Sequence, residues 1–194
     1  MILTFRQSVL ATIAYRGLFS FSPSRDEILL WLIGQKKIKM FQYRPNRHAQ
    51  RQAESKWREA LKRTWYLRFI PTVAFVGVTG GLAAHNARDE DDIDVLLIVE
   101  PGTIFITRLF AALITDLLGV RRQYLQTYVK NLLCLNYFLS KDNLALSKSR
   151  RDLYTAYELL QCKPIFDRND TYRLFITKNS WVRTFLPTAW SYLK

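Results

Sequence analysis

Residues 76–95 read Val76-Gly77-Val78-Thr79-Gly80-Gly81-Leu82-Ala83-Ala84-His85-Asn86-Ala87-Arg88-Asp89-Glu90-Asp91-Asp92-Ile93-Asp94-Val95. An apolar run ends in a glycine pair, ten residues follow, and an Asp-Ile-Asp then opens a second apolar run. Strand side chains alternate between two faces, so the second run predicts Asp92 and Asp94 on one side of a strand, near enough to share a divalent cation. Asp94 lies between Ile93 and Val95, and an ionised carboxylate in such company needs a partner or a metal. The glycine pair supplies the other half of a phosphate site, because a turn without side chains lets backbone N–H groups close on phosphate oxygens. Taken singly, Gly80-Gly81 is a turn and Asp89–Asp92 a solvated acidic loop. Taken together, cradle and carboxylates face one ligand.

The spacing of Thr79-Gly80-Gly81 from Asp92-Ile93-Asp94-Val95 resembles the signature of the nucleotidyltransferase superfamily that includes DNA polymerase β. In that signature an apolar residue and a Gly-Gly or Gly-Ser pair precede an Asp-apolar-Asp/Glu-apolar motif. The resemblance covers residues 72–140, and the whole chain is similar to bacterial nucleotidyltransferase-domain proteins. It implies an α/β fold with a small mixed sheet of the polymerase β type. It also implies Asp92 and Asp94 as catalytic metal ligands, Thr79, Gly80 and Gly81 as the nucleotide-binding loop, Mg2+ or Mn2+ as cofactor, and a nucleoside triphosphate as substrate. The implied reaction moves a nucleoside monophosphate to an acceptor hydroxyl.

Family members usually carry a third carboxylate on a later strand. Here Asn136, in Leu133-Cys134-Leu135-Asn136-Tyr137-Phe138, holds the expected place of that third metal ligand. An amide oxygen can bind a metal ion but brings no charge and takes no proton. Glu158, on a later helix, is therefore a candidate substitute base, against the plainer reading of a helix-surface glutamate. Arg88, Arg121 and Arg122 are the cations expected near a triphosphate, or else solvated loop residues. His85 and Asn86 follow the loop and receive no assigned chemistry. A catalytically impaired nucleotide- or RNA-binding module and a DNA-associated regulator are the alternatives to an enzyme.

Composition sets the frame for these motifs. The chain has 194 residues, of which 49% are hydrophobic and 14% aromatic, enough for one packed domain with an appendage. Cys134 and Cys162 offer no disulfide framework and fit a reducing cytosol, and His48 and His85 lack zinc-site spacing. The apolar segment from Ile104 to Val120 is interrupted by Arg108 and Asp116 and falls short of the ~20 residues of a membrane span, so a buried amphipathic helix is expected. No secretory leader is evident, and a cytoplasmic location with no membrane partner is expected. Net charge is +13, and residues 1–70 carry 14 Lys/Arg against 4 Asp/Glu. Such a bias suits RNA or another polyanion, or keeps a small protein soluble.

Three regions follow along the chain: a basic helical region over 1–70, a nucleotidyltransferase core over 71–145 and a helical region over 146–194. In the first, periodicity predicts a helix over 3–16 and a second from the Ser24/Glu27 capping box through Ile33. These resemble the opening of a winged-helix unit, but too little chain follows for a recognition helix and wing, so an appendage packed on the core is expected. A long helix over 46–69 is expected to expose Arg47, Arg51, Lys56, Arg58, Lys62, Arg63 and Arg68 and to bury Trp57, Leu61, Trp65 and Tyr66. In the core, strands are expected over 73–78, 92–99 and 132–139, with a short helix after the glycine pair and a helix over 104–118. Helices over 152–161, 171–177 and 181–192 complete the chain.

Overall fold

The computed structural model describes residues 3–34, 38 and 47–193, with 47–52 and 136 described by backbone alone. The fold is mixed α/β. Among the described residues four strands, β1 (Val73–Val78), β2 (Ile93–Val99), β3 (Leu133–Ser140) and β4 (Lys163–Asp167), form one sheet in the order β3-β2-β1-β4. β1 is antiparallel to both β2 and β4, whereas β2 and β3 run parallel.

Alternation along β2 divides the core between the two faces of this sheet. Ile93, Val95, Leu97 and Val99 join a cluster with Val76, Val78, Leu67, Ala60 and Ala111. That cluster lies beneath α3 (Arg47–Thr64), the 3-10 turn Trp65–Phe69 and α5 (Ile104–Leu117). Leu96 and Ile98 join the opposite cluster with Phe75, Tyr157, Phe175 and Leu186. There the cover is α6 (Leu153–Gln161), α7 (Thr171–Lys178), α8 (Pro187–Leu193) and the N-terminal pair α1 (Phe5–Gly17) and α2 (Arg25–Leu30). Asp94 shares the face of Leu96 and therefore looks toward this second layer.

Local sequence explains where several helices start. Thr4 and Gln7 form a capping box at α1, and Ser24 and Glu27 form another at α2, where Ser24 N–H donates to Glu27 Oε2 at 2.8 Å. Asp152 caps α6 by accepting from Thr155 N–H at 2.7 Å. The N-terminal pair is packed onto the core: Tyr15 and Trp31 both stack on Tyr157 of α6, at ring separations of 4.8 and 5.4 Å. A recognition helix following α2 would fall in residues 35–46, which lie outside the described residues, apart from Ile38.

The structure departs from the sequence reading in four places. The 146–194 region is not all helical, because β4 pairs with β1; its Pro164 suits an edge strand, where a missing donor costs little. The helix expected over 181–192 is split into a 3-10 turn, Ser180–Thr184, and α8, which Pro187 opens at the first-turn position that proline tolerates. On α3 the buried stripe is Ala53, Lys56, Ala60 and Thr64, while Leu61, Trp65 and Tyr66 are exposed and Trp57 is partly covered. Small residues let the α3 backbone approach the sheet closely, which moves the large apolar residues outward. Helix α5 forms as expected but leaves most of its large side chains in solvent.

Candidate functional site

The site is assembled at the end of β1. Thr79 follows that strand in extended conformation, and its N–H donates to the Asp94 carbonyl of β2 at 3.0 Å. Gly80 then takes φ +63°, in the left-handed region that favours glycine. A Cβ on Gly80 would overlap the Asp94 carboxylate. Glycine is therefore required here twice, for its backbone angle and for the carboxylate's approach. Gly80 opens the four-residue helix α4 (Gly80–Ala83), and Asn86 N–H closes the turn on the Gly81 carbonyl at 2.8 Å.

Asp92 directly precedes β2 and Asp94 lies within it. Opposite Asp94 in the parallel ladder stands Cys134, and a register shift follows, so that Leu96 faces Tyr137. One ligand atom each from Asp92, Asp94 and Cys134 lies within 4.8 Å of the others. Among the described side chains, the third group of this cluster is thus a thiol. Asn136, expected in that role, sits in the irregular stretch of β3, and its side chain lies outside the described residues.

Burial, reinforced by the Asp92 charge, pushes the Asp94 carboxyl up to about 6. Burial followed by Asp94 and Asp92 pushes the Cys134 thiol up to about 11. This corner therefore concentrates negative charge that its surroundings compensate only in part. Arg122 supplies some of the compensation, with Nη1 donating to Asp92 Oδ2 at 2.6 Å.

Glu158 belongs to the site and not to an open helix surface. It projects from α6 toward the glycine loop, where its Oε2 accepts from Gly80 N–H at 3.2 Å. Burial, with Asp94 as a further contributor, holds its carboxyl above the usual range despite that bond. Gly80, Gly81, Asp94 and Glu158 line a cleft of about 220 Å³ closed on its far side by Tyr15, Arg16 and Phe21. A smaller, largely apolar slot, lined also by Thr79, adjoins it across Glu158 and Tyr154.

The arginines separate. Arg122 joins the aspartates, Arg121 pairs with Asp116 at 2.6 Å, and Arg88 contributes a backbone N–H to Asp91 Oδ2 at 2.7 Å. Asn86 donates from Nδ2 to the Phe19 carbonyl at 2.8 Å and so ties the glycine turn to the N-terminal helices. Lys56, expected on an exposed face, is buried. Its ammonium donates to the carbonyls of Asp91 and Asp89 at 2.5 and 3.2 Å and to Asn131 Oδ1 at 3.2 Å, fixing the acidic loop that leads into Asp92.

Two groups were missed by sequence reasoning. Cys134 alternates with Leu133 and Leu135, a signal for its face, but its register against Asp94 is a tertiary fact. Lys163 lies opposite Val78 at the end of β1 and interacts electrostatically with His85; no motif in the sequence marks it or its strand.

No family model and no curated protein matches the chain. Among solved structures, a crystal structure of a toxin-antitoxin with AMP-PNP is similar at 11% identity and a TM-score of 0.32, covering 62% of this chain and 81% of that one. A likeness of that size does not bear on function. Among the described residues no helix is long and apolar enough to cross a membrane.

Proposed function

We propose that the chain is a metal-dependent nucleotidyltransferase that joins a nucleoside monophosphate from a triphosphate to an acceptor hydroxyl. The observation that carries this reading is the contact of the Gly80 backbone with the Asp94 carboxylate, beside the Asp92/Asp94/Cys134 cluster. It puts a turn able to hold phosphate against a group of metal-ligand type, with the motif spacing of the nucleotidyltransferase superfamily.

The donor set fits a divalent ion. Two carboxylate oxygens suit Mg2+ or Mn2+, while a thiol shifts preference toward the softer ion, and three protein donors leave positions open for phosphate oxygens. When bound, such an ion neutralises phosphate charge and polarises the reacting phosphoryl group. The chain's own residues do the rest. Gly81 N–H, and Gly80 N–H once Glu158 releases it, orient the phosphates. The acceptor oxygen forms a bond to the α-phosphorus, the bond to the β-phosphate bridging oxygen breaks, and pyrophosphate leaves with that electron pair. Glu158, kept basic enough by its buried position, takes the acceptor proton.

One observation favours a second reading, a nucleotide-binding module without turnover: among the described side chains it is the Cys134 thiol that completes the group beside Asp92 and Asp94. Incubation of the protein with α-labelled nucleoside triphosphates, Mn2+ or Mg2+ and cell extract separates the two. Label transferred to an extract component, with loss in Asp92→Ala/Asp94→Ala, supports the enzyme. Retained nucleotide with no transfer and no pyrophosphate supports the module.

A further inference from the structure

Helix α5 is built inside out. Its small residues Thr107, Ala111 and Thr115 are buried against the sheet. On the opposite side Phe105, Leu109, Leu113 and Leu117 form an i, i+4 ridge exposed by 87%, 61%, 50% and 79%, with Ile106 and Phe110 beside it at 45% and 46%. At roughly 200 Å² for a fully exposed large apolar side chain, these six offer about 700 Å². Trp65 and Phe69, in the turn packed beside α5, are exposed as well. The largest apolar patch on an ordinary monomer is about 300–600 Å², whereas a standard protein interface takes about 800 Å² from each partner.

We propose that this face is the interface of a homodimer in which α5 of two copies pack antiparallel. An isologous contact needs a patch that maps onto itself. A two-fold axis passing between Leu109 and Leu113 achieves this, because it sets Leu109 against Leu113 of the second copy and Phe105 against Leu117. Both ridges are i±4 rows, the type that interdigitates at a crossing angle of about −50°.

Charge points the same way. The only charged residues of α5, Arg108 and Asp116, lie on one flank of the ridge toward opposite ends, and the same axis brings each near its opposite in the other copy. Within one chain Arg108 rests over the Phe138 ring and Asp116 holds Arg121 and Gln123, so both ends are already ordered. A helix with one charge of each sign lacks the basic rim by which apolar helices grip anionic bilayers. The inference is independent of the chemistry proposed at Asp94.

Sedimentation velocity of the full chain at micromolar concentrations, without lipid or detergent, tests it. The expected species has twice the 22.9 kDa chain mass. Leu109→Glu combined with Leu113→Glu gathers like charges at the axis and should give a monomer with unchanged far-UV circular dichroism and a Tm that no longer depends on protein concentration. Arg108→Glu should weaken association by about tenfold, and adding Asp116→Arg should restore it. A monomeric parent overturns the proposal, whether it stays free or sediments with anionic vesicles. A dimer indifferent to the paired Leu→Glu substitutions also overturns it.

Discussion

Asp94→Asn is expected to stabilise the metal-free protein, and the size of the gain follows from where Asp94 sits. Burial, then the neighbouring Asp92 charge, raises its carboxyl from 3.8 to about 6. A carboxyl whose folded-state pKa lies above its unfolded value holds its proton more tightly when folded, so stability falls as pH rises from 3.8 through about 6. A rise of about two units, at ~1.4 kcal/mol each, amounts to ~3 kcal/mol lost above that window. Asparagine has no charge to bury but does not reproduce every carboxylate contact with Cys134, which leaves a gain of ~2 kcal/mol, or about 4–8 °C in Tm for a chain of this length. Urea unfolding of parent and variant in EDTA, from pH 4 to pH 8, reads this directly. Groups remote from Asp94 cancel in the difference, which should be widest above pH 6 and close toward pH 4. A difference that does not change with pH, or a variant less stable than the parent at pH 7.5, would refute the reasoning.

Further outcomes follow from the same geometry. Gly80→Ala combines a left-handed backbone angle with overlap on Asp94 and should cost ~2 kcal/mol or more in urea unfolding while abolishing nucleotide binding; a neutral substitution would show the contact to be loose. Glu158→Gln removes an anion from the Gly80 N–H and should tighten nucleotide binding while lowering kcat for transfer; a rise in KM alone would assign Glu158 to binding. The parent loaded with Co2+ should show thiolate-to-metal absorption that Cys134→Ser lacks, and an identical spectrum in the variant would remove the thiol from the metal site.

The motif that decided the fold was legible because each of its parts answers a local demand. Gly80 needs its positive φ, and Asp94 stands out among apolar neighbours as a buried charge. Strand alternation likewise set Asp92 and Asp94 on one side, and a ligand atom of each lies within 4.8 Å of the other. The remaining differences arise from contacts between elements distant in sequence. The register shift after Asp94 decides that Cys134 lies opposite it, and nothing within residues 133–138 announces that shift. Glu158 reads as an ordinary helical glutamate until α6 is laid across the glycine loop. Lys56 has the spacing of a solvated face, yet three oxygens from the loop over 89–91 and from Asn131 surround its ammonium and repay its burial. Helix α5 misled in the opposite sense, since its apolar periodicity is real but its small residues face the sheet.

The most direct test of the central claim is calorimetric titration of Mn2+–ATP into the parent and into Asp92→Ala/Asp94→Ala. The parent is expected to bind one nucleotide, with heat that disappears in EDTA, and the double variant to keep its fold, with equal or higher Tm, and give no binding heat. Equal binding by the two proteins would contradict the assignment of the nucleotide site to Asp92, Asp94 and the glycine turn.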